Sequence, residues 1–351
     1  MAEVSSKVTL KMIAHEAGVS IGTVARALND QDGVNQVTRK SILEIADKLG
    51  YRTGKLTEAQ ASNKTFHIGI VYPEVSPDFY SLIDAGVTDA ASEMAEYGVT
   101  VEKIRYETQI PEVEYARVAS LDISKFDGLA INSAGSIIEG LIDRIAASGT
   151  PVITFNTDAA NSSRLFYVGS NARQSGMIGA EMLALLMGGE GRATVLGDFT
   201  RATPFIERFG GFCEFAQQAF PGIQIHPCAL ASSDANSMTA RLIEQIKLIP
   251  DIRGVFCTGY TSTIAALDAL RLLGREDIYT VGYDITARTA EALRDNHINA
   301  LIFQDPYQQG YKAVQCLARY LIEGYVPQTP FLYIENRIVL KSNLDAYHIE
   351  V

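Results

Sequence analysis

From Phe66 onward the chain alternates short apolar runs with amphipathic stretches, and that alternation restricts it to one class of fold. The runs HIGIVYP, VTVEKI, GLAINS, VITFNT, RATVLGD, IQIHPCAL, GVFCTG, YTVGYD and NALIFQD read as strands. Between them, stretches near 80–97, 136–148, 172–188, 204–219, 236–248, 261–273, 287–295 and 306–323 read as helices. Strand, helix and strand repeated this often build doubly wound parallel sheets covered by helices. The strands are too many for one comfortable sheet, so two such lobes are predicted.

The first fifty residues have a different texture. In VTLKMIAHEAGVSIGTVARALN, from Val8 to Asn29, Leu10, Ile13, Ala14 and Ala17 share a helical face, and Thr9 stands at an N-cap position. Gly18 supplies a left-handed turn residue, Ser20 caps a second helix, and Val24 and Leu28 mark its inner stripe. Two short helices joined by a tight turn describe a helix-turn-helix, whose second helix enters the DNA major groove. An ordinary helical hairpin shares the pattern. Asn35 caps a third helix to about Leu49, with Val37, Ile42, Ile45, Ala46 and Leu49 on its inner face, and Gly50 ends it. The chain therefore divides into an all-α DNA-binding domain over 1–52, a hinge over 53–65 and a two-lobed body over 66–351.

Length and composition agree with this division. A chain of 351 residues exceeds one core. Met1 is not followed by a basic-then-apolar leader, and no run of eighteen apolar residues occurs, so a cytoplasmic location away from membranes is expected. The four cysteines and five histidines are scattered without metal-ligand spacing, and phosphate-loop, nucleophile-elbow and H-E-x-x-H motifs are missing. No catalytic residue, metal or cofactor is expected. Net charge is −11, yet through Lys64 nine basic residues stand against seven acidic ones. A weakly basic head on an acidic body would bind DNA tightly only if two heads acted together, which predicts a homodimer.

In doubly wound sheets the ligand sits beyond the carboxyl ends of the strands. Those ends hold Ser76 to Tyr80, Asn132-Ser133, Asn156-Thr157-Asp158, Asp198, Thr258 to Tyr260, Asp284 and Gln304-Asp305. Amides and carboxylates beside aromatic rings suit a polyhydroxylated ligand, although turn-forming Asn, Asp and Ser collect at strand ends in any case. Asp284 and Gln304 are expected to converge from opposite lobes. The competing role for Asp284 is to cap the helix starting near Thr286.

The stretch Val8–Asn29 resembles the LacI-type (lactose repressor) family of bacterial transcription regulators, and reads against that family's pattern V-T-[IL]-x-[DE]-[IV]-A-x-x-A-G-V-S-x-x-T-V-S-R-x-L-N. The body resembles ribose-binding and related sugar-binding proteins in VITFNT, IERFGGF, TVGYD and IFQDP. The resemblance spans essentially the whole chain and implies a regulator of a carbohydrate-utilisation operon, most simply a repressor. It would bind a pseudo-palindromic double-stranded operator as a dimer and respond to a small sugar between its lobes. Ile21, Gly22 and Arg26 occupy the family's base-reading positions, and Thr9, Ser20, Thr23, Asn29 and Tyr51 its backbone-contact positions. Phe79 and Tyr80 match an aromatic pair that sandwiches the ligand, and Asn156, Arg208, Asp284 and Gln304 match its polar partners. The lobes would then comprise about 66–160 with 291–325, and 161–290 with 326–351, the last strand FLYIENRIVL returning to the second lobe.

Three departures limit what the resemblance carries over. Ala25 replaces a serine, Gln60 stands where a leucine wedges into the minor groove, and Thr258-Gly259-Tyr260 replaces an Asn-Asp or Ser-Asp pair. A purine-type corepressor in the cleft, or a sugar-binding protein with no DNA role, are the alternative readings.

Overall fold

Thr9 opens the head as predicted: its side chain accepts from the Met12 amide at 3.4 Å at the start of α1 (Leu10–Glu16). Gly18 turns the chain at φ +63°. Ser20 Oγ then accepts from the Thr23 amide at 3.1 Å ahead of α2 (Ile21–Leu28). Asn35 Oδ1 caps α3 (Gln36–Lys48) through the Thr38 amide at 2.8 Å. Ile13, Ala14, Val24, Ala27, Ile42 and Ala46 make one small core shared by the three helices. Val37 is not part of it. It is 81% exposed, because five helical steps from Ile42 place it about 140° around the axis.

The computed structural model describes residues 8–28, 33–49, 64–75, 77–108, 110–133, 135–198, 203–230 and 234–347. Asn29, Tyr51 and Gln60 lie outside the described residues, as does nearly all of the expected hinge.

In the body, β1 (Phe66–Pro73), β2 (Val99–Tyr106), β3 (Gly128–Ile131), β4 (Val152–Phe155), β5 (Tyr167–Ser170) and β11 (Phe331–Ile334) form the sheet of lobe 1, in the order β11-β5-β4-β3-β1-β2. Helices α4 (Pro77–Ala95) and α12 (Pro306–Glu323) cover one face, where Ile83, Val87, Val314 and Leu317 meet Ile68, Ile70 and Ile153. Helices α5 (Pro111–Ala119) and α6 (Glu139–Ala147) cover the other against Val71, Leu129 and Val152.

The sheet of lobe 2 comprises β6 (Glu190–Gly197), β7 (Gly222–Ala229), β8 (Ile252–Cys257), β9 (Tyr279–Tyr283), β10 (Ala300–Phe303) and β12 (Arg337–Val339), in the order β12-β10-β9-β8-β6-β7. It packs between α7 (Ala172–Met187) with α8 (Thr203–Ala219) and α9 (Ala235–Leu248) with α10 (Tyr260–Leu273). The central strands are buried on both faces, which is why they read as unbroken apolar runs.

The lobe boundaries differ from those expected. The missed strand β5 keeps the chain in lobe 1 past 160, and the first crossing comes at Asn171, which caps α7 through the Gln174 amide at 2.9 Å. Strand β10 pairs with β9 in lobe 2, so the second crossing follows Gln304 rather than falling near 290. The third comes between β11 and β12: FLYIENRIVL is two strands, the first paired with β5 in lobe 1 and only the second with β10 in lobe 2. Helix α11 (Ala287–Arg294) simply connects the neighbouring strands β9 and β10. Two crossings are tied together, since Asn336 Nδ2 donates to the Asn171 carbonyl at 3.1 Å.

Candidate functional site

The carboxyl ends of both sheets face one cleft of about 140 Å³. Lobe 1 lines it with Phe79, Tyr80, Tyr106, Asn132 and Asn156, and lobe 2 with Phe205, Arg208, Tyr260, Asp284 and Gln304. Asn156 and Asp284, each the residue after its strand, hold φ of +59° and +65°. Asn and Asp tolerate the left-handed region better than other residues, but the conformation still costs about 1 kcal/mol or more. Such strain is retained where the side chain must point out of the strand, here into the cleft.

Arg208 reaches the cleft because α7 and α8 pack closely. A Cβ on Gly176 would stand 2.0 Å from the Arg208 carbonyl oxygen, and one on Gly211 2.1 Å from that of Arg173. Glycine at these two positions therefore sets the interhelical distance. The guanidinium lies over the Tyr283 ring, 4.2 Å from its centroid, with Phe205 at 5.6 Å. Its Nη1 donates to the Thr258 carbonyl and its Nη2 to Gln304 Oε1, both at 2.7 Å.

Gln304 connects this cation to the carboxylate. Its Nε2 donates to Asp284 at 3.0 and 3.3 Å, while Ser170 Oγ, from the end of β5, lies 3.4 Å from its Oε1. Burial pushes the Asp284 carboxyl up to about 6; the Gln304 hydrogen bond and Arg208 oppose that rise. Asp284 does not cap α11. Thr286 does so, accepting from the Thr289 amide at 3.2 Å, which leaves the carboxylate facing the cleft.

A second set of amides continues into lobe 1. Gln309, fully buried in α12, donates through Nε2 to the Gln304 carbonyl at 2.7 Å and accepts from Asn156 Nδ2 at 2.9 Å. Asn156 Oδ1 accepts in turn from Asn132 Nδ2 at 3.0 Å. Asn132 to Asp284 is thus one unbroken hydrogen-bonded series crossing between the lobes. At the rim, the Tyr260 hydroxyl donates to Asp78 Oδ2 at 2.9 Å, from lobe 2 to lobe 1.

In the head, Ile21, Gly22 and Arg26 share one exposed face of α2, with Arg26 Nε donating to the Gly22 carbonyl at 3.2 Å. Thr9, Ser20 and Thr23 collect at the starts of α1 and α2, the last two with hydroxyls 2.8 Å apart.

Two family models match the chain. The model for bacterial regulatory proteins of the lacI family covers residues 9–54, and that for the periplasmic binding protein domain covers 68–324. The chain carries a periplasmic binding protein domain over most of its length, preceded by a lacI-family helix-turn-helix domain. Catabolite control protein A of Priestia megaterium is 31% identical over 146 residues, 42% of each chain. The transcriptional regulator RegA of Clostridium saccharobutylicum is 38% identical over 110 residues, 31% of this chain and 32% of that one. The alignments thus span about two-fifths or less of these curated relatives. Among solved structures, GanP, a glucose-galactose binding protein from Geobacillus stearothermophilus, aligns with a TM-score of 0.73 and 26% identity, covering 80% of this chain and 99% of that one. AraP, an arabinose binding protein from the same organism, aligns at 0.69 and 21%, covering 81% and 100%.

The effector residues implied by the resemblance, Phe79, Tyr80, Asn156, Arg208, Asp284 and Gln304, all line the one cleft. Two expectations about them need correction. Asp284 and Gln304 converge because they end adjacent strands of one sheet, not because they come from facing lobes. Phe79 and Tyr80 meet edge to face at 5.2 Å and form a single wall rather than two sides of a sandwich. Asp158 and Asp305 are occupied elsewhere, the first by Arg164 at 2.6 Å, the second by the Gln308 amide at 3.1 Å and Arg337 at 3.3 Å. Gln309 was not foreseen, although a signal existed: it lies on the stripe of Ala313 and Leu317, where an apolar residue is the norm.

Proposed function

We propose that this protein is a sequence-specific DNA-binding transcription regulator, a repressor whose operator affinity is set by a small sugar held between the lobes. The observation that carries this reading is the union, in one chain, of an exposed helix-turn-helix face with a cleft whose hydrogen-bonded lining crosses both lobes. The α2 face offers Arg26 as its one long donor, suited to a guanine edge, while Ile21 meets a thymine methyl and Gly22 lets the backbone approach. Thr9, Ser20 and Thr23 hold the phosphates, as hydroxyls at helix starts do. Two heads on a homodimer read a pseudo-palindromic operator, and a change in interlobe angle alters their spacing. The protein works in the cytoplasm, catalyses no reaction, and its cleft serves to sense.

The test is a gel shift with genomic fragments, followed by base substitution in the retained site. Arg26→Ala is expected to cost about 1–3 kcal/mol on the operator and to relax preference at one position per half-site. Equal loss on operator and random DNA would assign Arg26 to phosphate contact alone.

A further inference from the structure

We propose that the cleft accepts a single uncharged ring bearing adjacent hydroxyls, and that Tyr260 with Asp78 closes its mouth against anything longer. This rests on reading the cleft as the effector site and narrows what it admits.

Charge is the first argument. Among the described residues lining the cleft, Arg208 and Asp284 are the two with full charges, and Gln304 links them. The guanidinium is already balanced by that carboxylate and rests on the Tyr283 ring. A phosphate or carboxylate on the ligand would meet Arg208 only by also facing Asp284, and an ammonium would meet Asp284 only by facing Arg208. A hydroxyl donates and accepts at once, so neighbouring hydroxyls satisfy the carboxylate, the guanidinium and the amides of Asn132 and Asn156 together.

Size is the second. The cleft holds about 140 Å³, well below the roughly 300–1,000 Å³ of pockets for drug-sized ligands. Its mouth is spanned by the 2.9 Å hydrogen bond from Tyr260, which opens α10, to Asp78 in the first turn of α4. Tyr260 is fixed from behind. The preceding Gly259 is so close to Phe205 that a Cβ there would stand 2.8 Å from the ring. A second sugar ring linked to the first would need the space this tyrosine and aspartate occupy.

Thermal shift of the full chain tests both arguments. The compounds are D-glucose, D-galactose, D-arabinose and D-ribose, then glucose 6-phosphate, galacturonate and glucosamine, then lactose and maltose, with adenine and hypoxanthine as a non-sugar arm. At least one neutral monosaccharide should raise Tm by several degrees, with no shift from charged derivatives or disaccharides. Asp78→Ala, which releases the Tyr260 hydroxyl without altering the cleft lining, should retain the monosaccharide shift and gain one with a disaccharide. Tyr260→Ala should gain the disaccharide shift as well, whatever it does to the monosaccharide shift. A charged derivative that stabilises as well as its parent sugar overturns the charge argument alone. A disaccharide that stabilises wild type, or variants that still refuse one, overturns the closure. Stabilisation by a nucleobase and no sugar, or by no compound, overturns the sugar reading and this proposal together.

Discussion

Lobe 1 lines the cleft with Phe79, Tyr80, Asn132 and Asn156, none of them charged, whereas lobe 2 contributes Arg208 and Asp284. The lobe 2 groups are also largely satisfied within their own lobe: Arg208 by Thr258 and Gln304, Asp284 by Gln304. The lobe 1 amides instead are tied across the crossing, since Gln309, which orients Asn156 from within lobe 1, is itself anchored on the Gln304 carbonyl of lobe 2. The difference assigns distinct tasks. On the proposed reading of the cleft, lobe 2 supplies a preformed charged floor to hold a ligand, and lobe 1 a neutral cover whose fit depends on how the lobes are set relative to each other.

The largest expected effect breaks the floor. Arg208→Met leaves the buried Asp284 carboxylate without the nearby cation that helps offset its burial through Gln304, and an uncompensated buried group of this kind is expected to cost about 3 kcal/mol. The penalty depends on pH in a fixed direction. Burial already raises the folded-state pKa of Asp284 to about 6, and losing Arg208 raises it further, so the acid form predominates at lower pH and carries no charge to offset. Urea unfolding at pH 8 should therefore show the full loss and at pH 5 a much smaller one. Equal losses at both values would mean the carboxylate is not what Arg208 compensates.

A smaller effect separates the floor's binding role from its stability role. Asp284→Asn keeps the shape and removes the charge, and should weaken binding of a stabilising sugar by about 1.5–3 kcal/mol. Wild-type affinity should fall as pH drops below about 6, because the protonated carboxyl loses acceptor strength, while the variant's affinity stays level. Calorimetric titration from pH 5 to 8 measures both. Parallel pH profiles would remove Asp284 from ligand contact.

The smallest effect concerns the cover. Gln309→Leu touches no ligand and is expected to cost about 1 kcal/mol in sugar affinity, as one buried hydrogen-bonded series is interrupted. The same change combined with Asn156→Ala should cost little more than Asn156→Ala alone, since Gln309 acts through that amide. Fully additive losses would show that Gln309 acts on stability only.

How much of this was visible in the sequence follows from how local each signal is. The head was legible almost residue by residue, because caps at Thr9, Ser20 and Asn35 and the turn at Gly18 are set by nearest neighbours. The strands of the body were legible as apolar runs, and their ends directed attention to the cleft. Strand β5 was lost because YVGS is four residues long and carries a glycine and a serine. The division of FLYIENRIVL between two sheets depends on pairing with β5 and β10, 164 and 34 residues away at Tyr167 and Phe303, which no local pattern encodes. Gln309 fell outside the strand-end rule because it acts from inside a helix.

One measurement bears most directly on the claim that the cleft controls the head. Fluorescence anisotropy of a labelled operator, titrated with wild type or Asp284→Asn in the presence and absence of a stabilising sugar, reads both sites at once. The account predicts that the sugar, at a concentration that saturates wild type only, changes operator affinity about tenfold or more for wild type and far less for the variant, with equal affinity of the two proteins for DNA when no sugar is present. Wild type that binds the sugar yet holds the operator with unchanged affinity would contradict it.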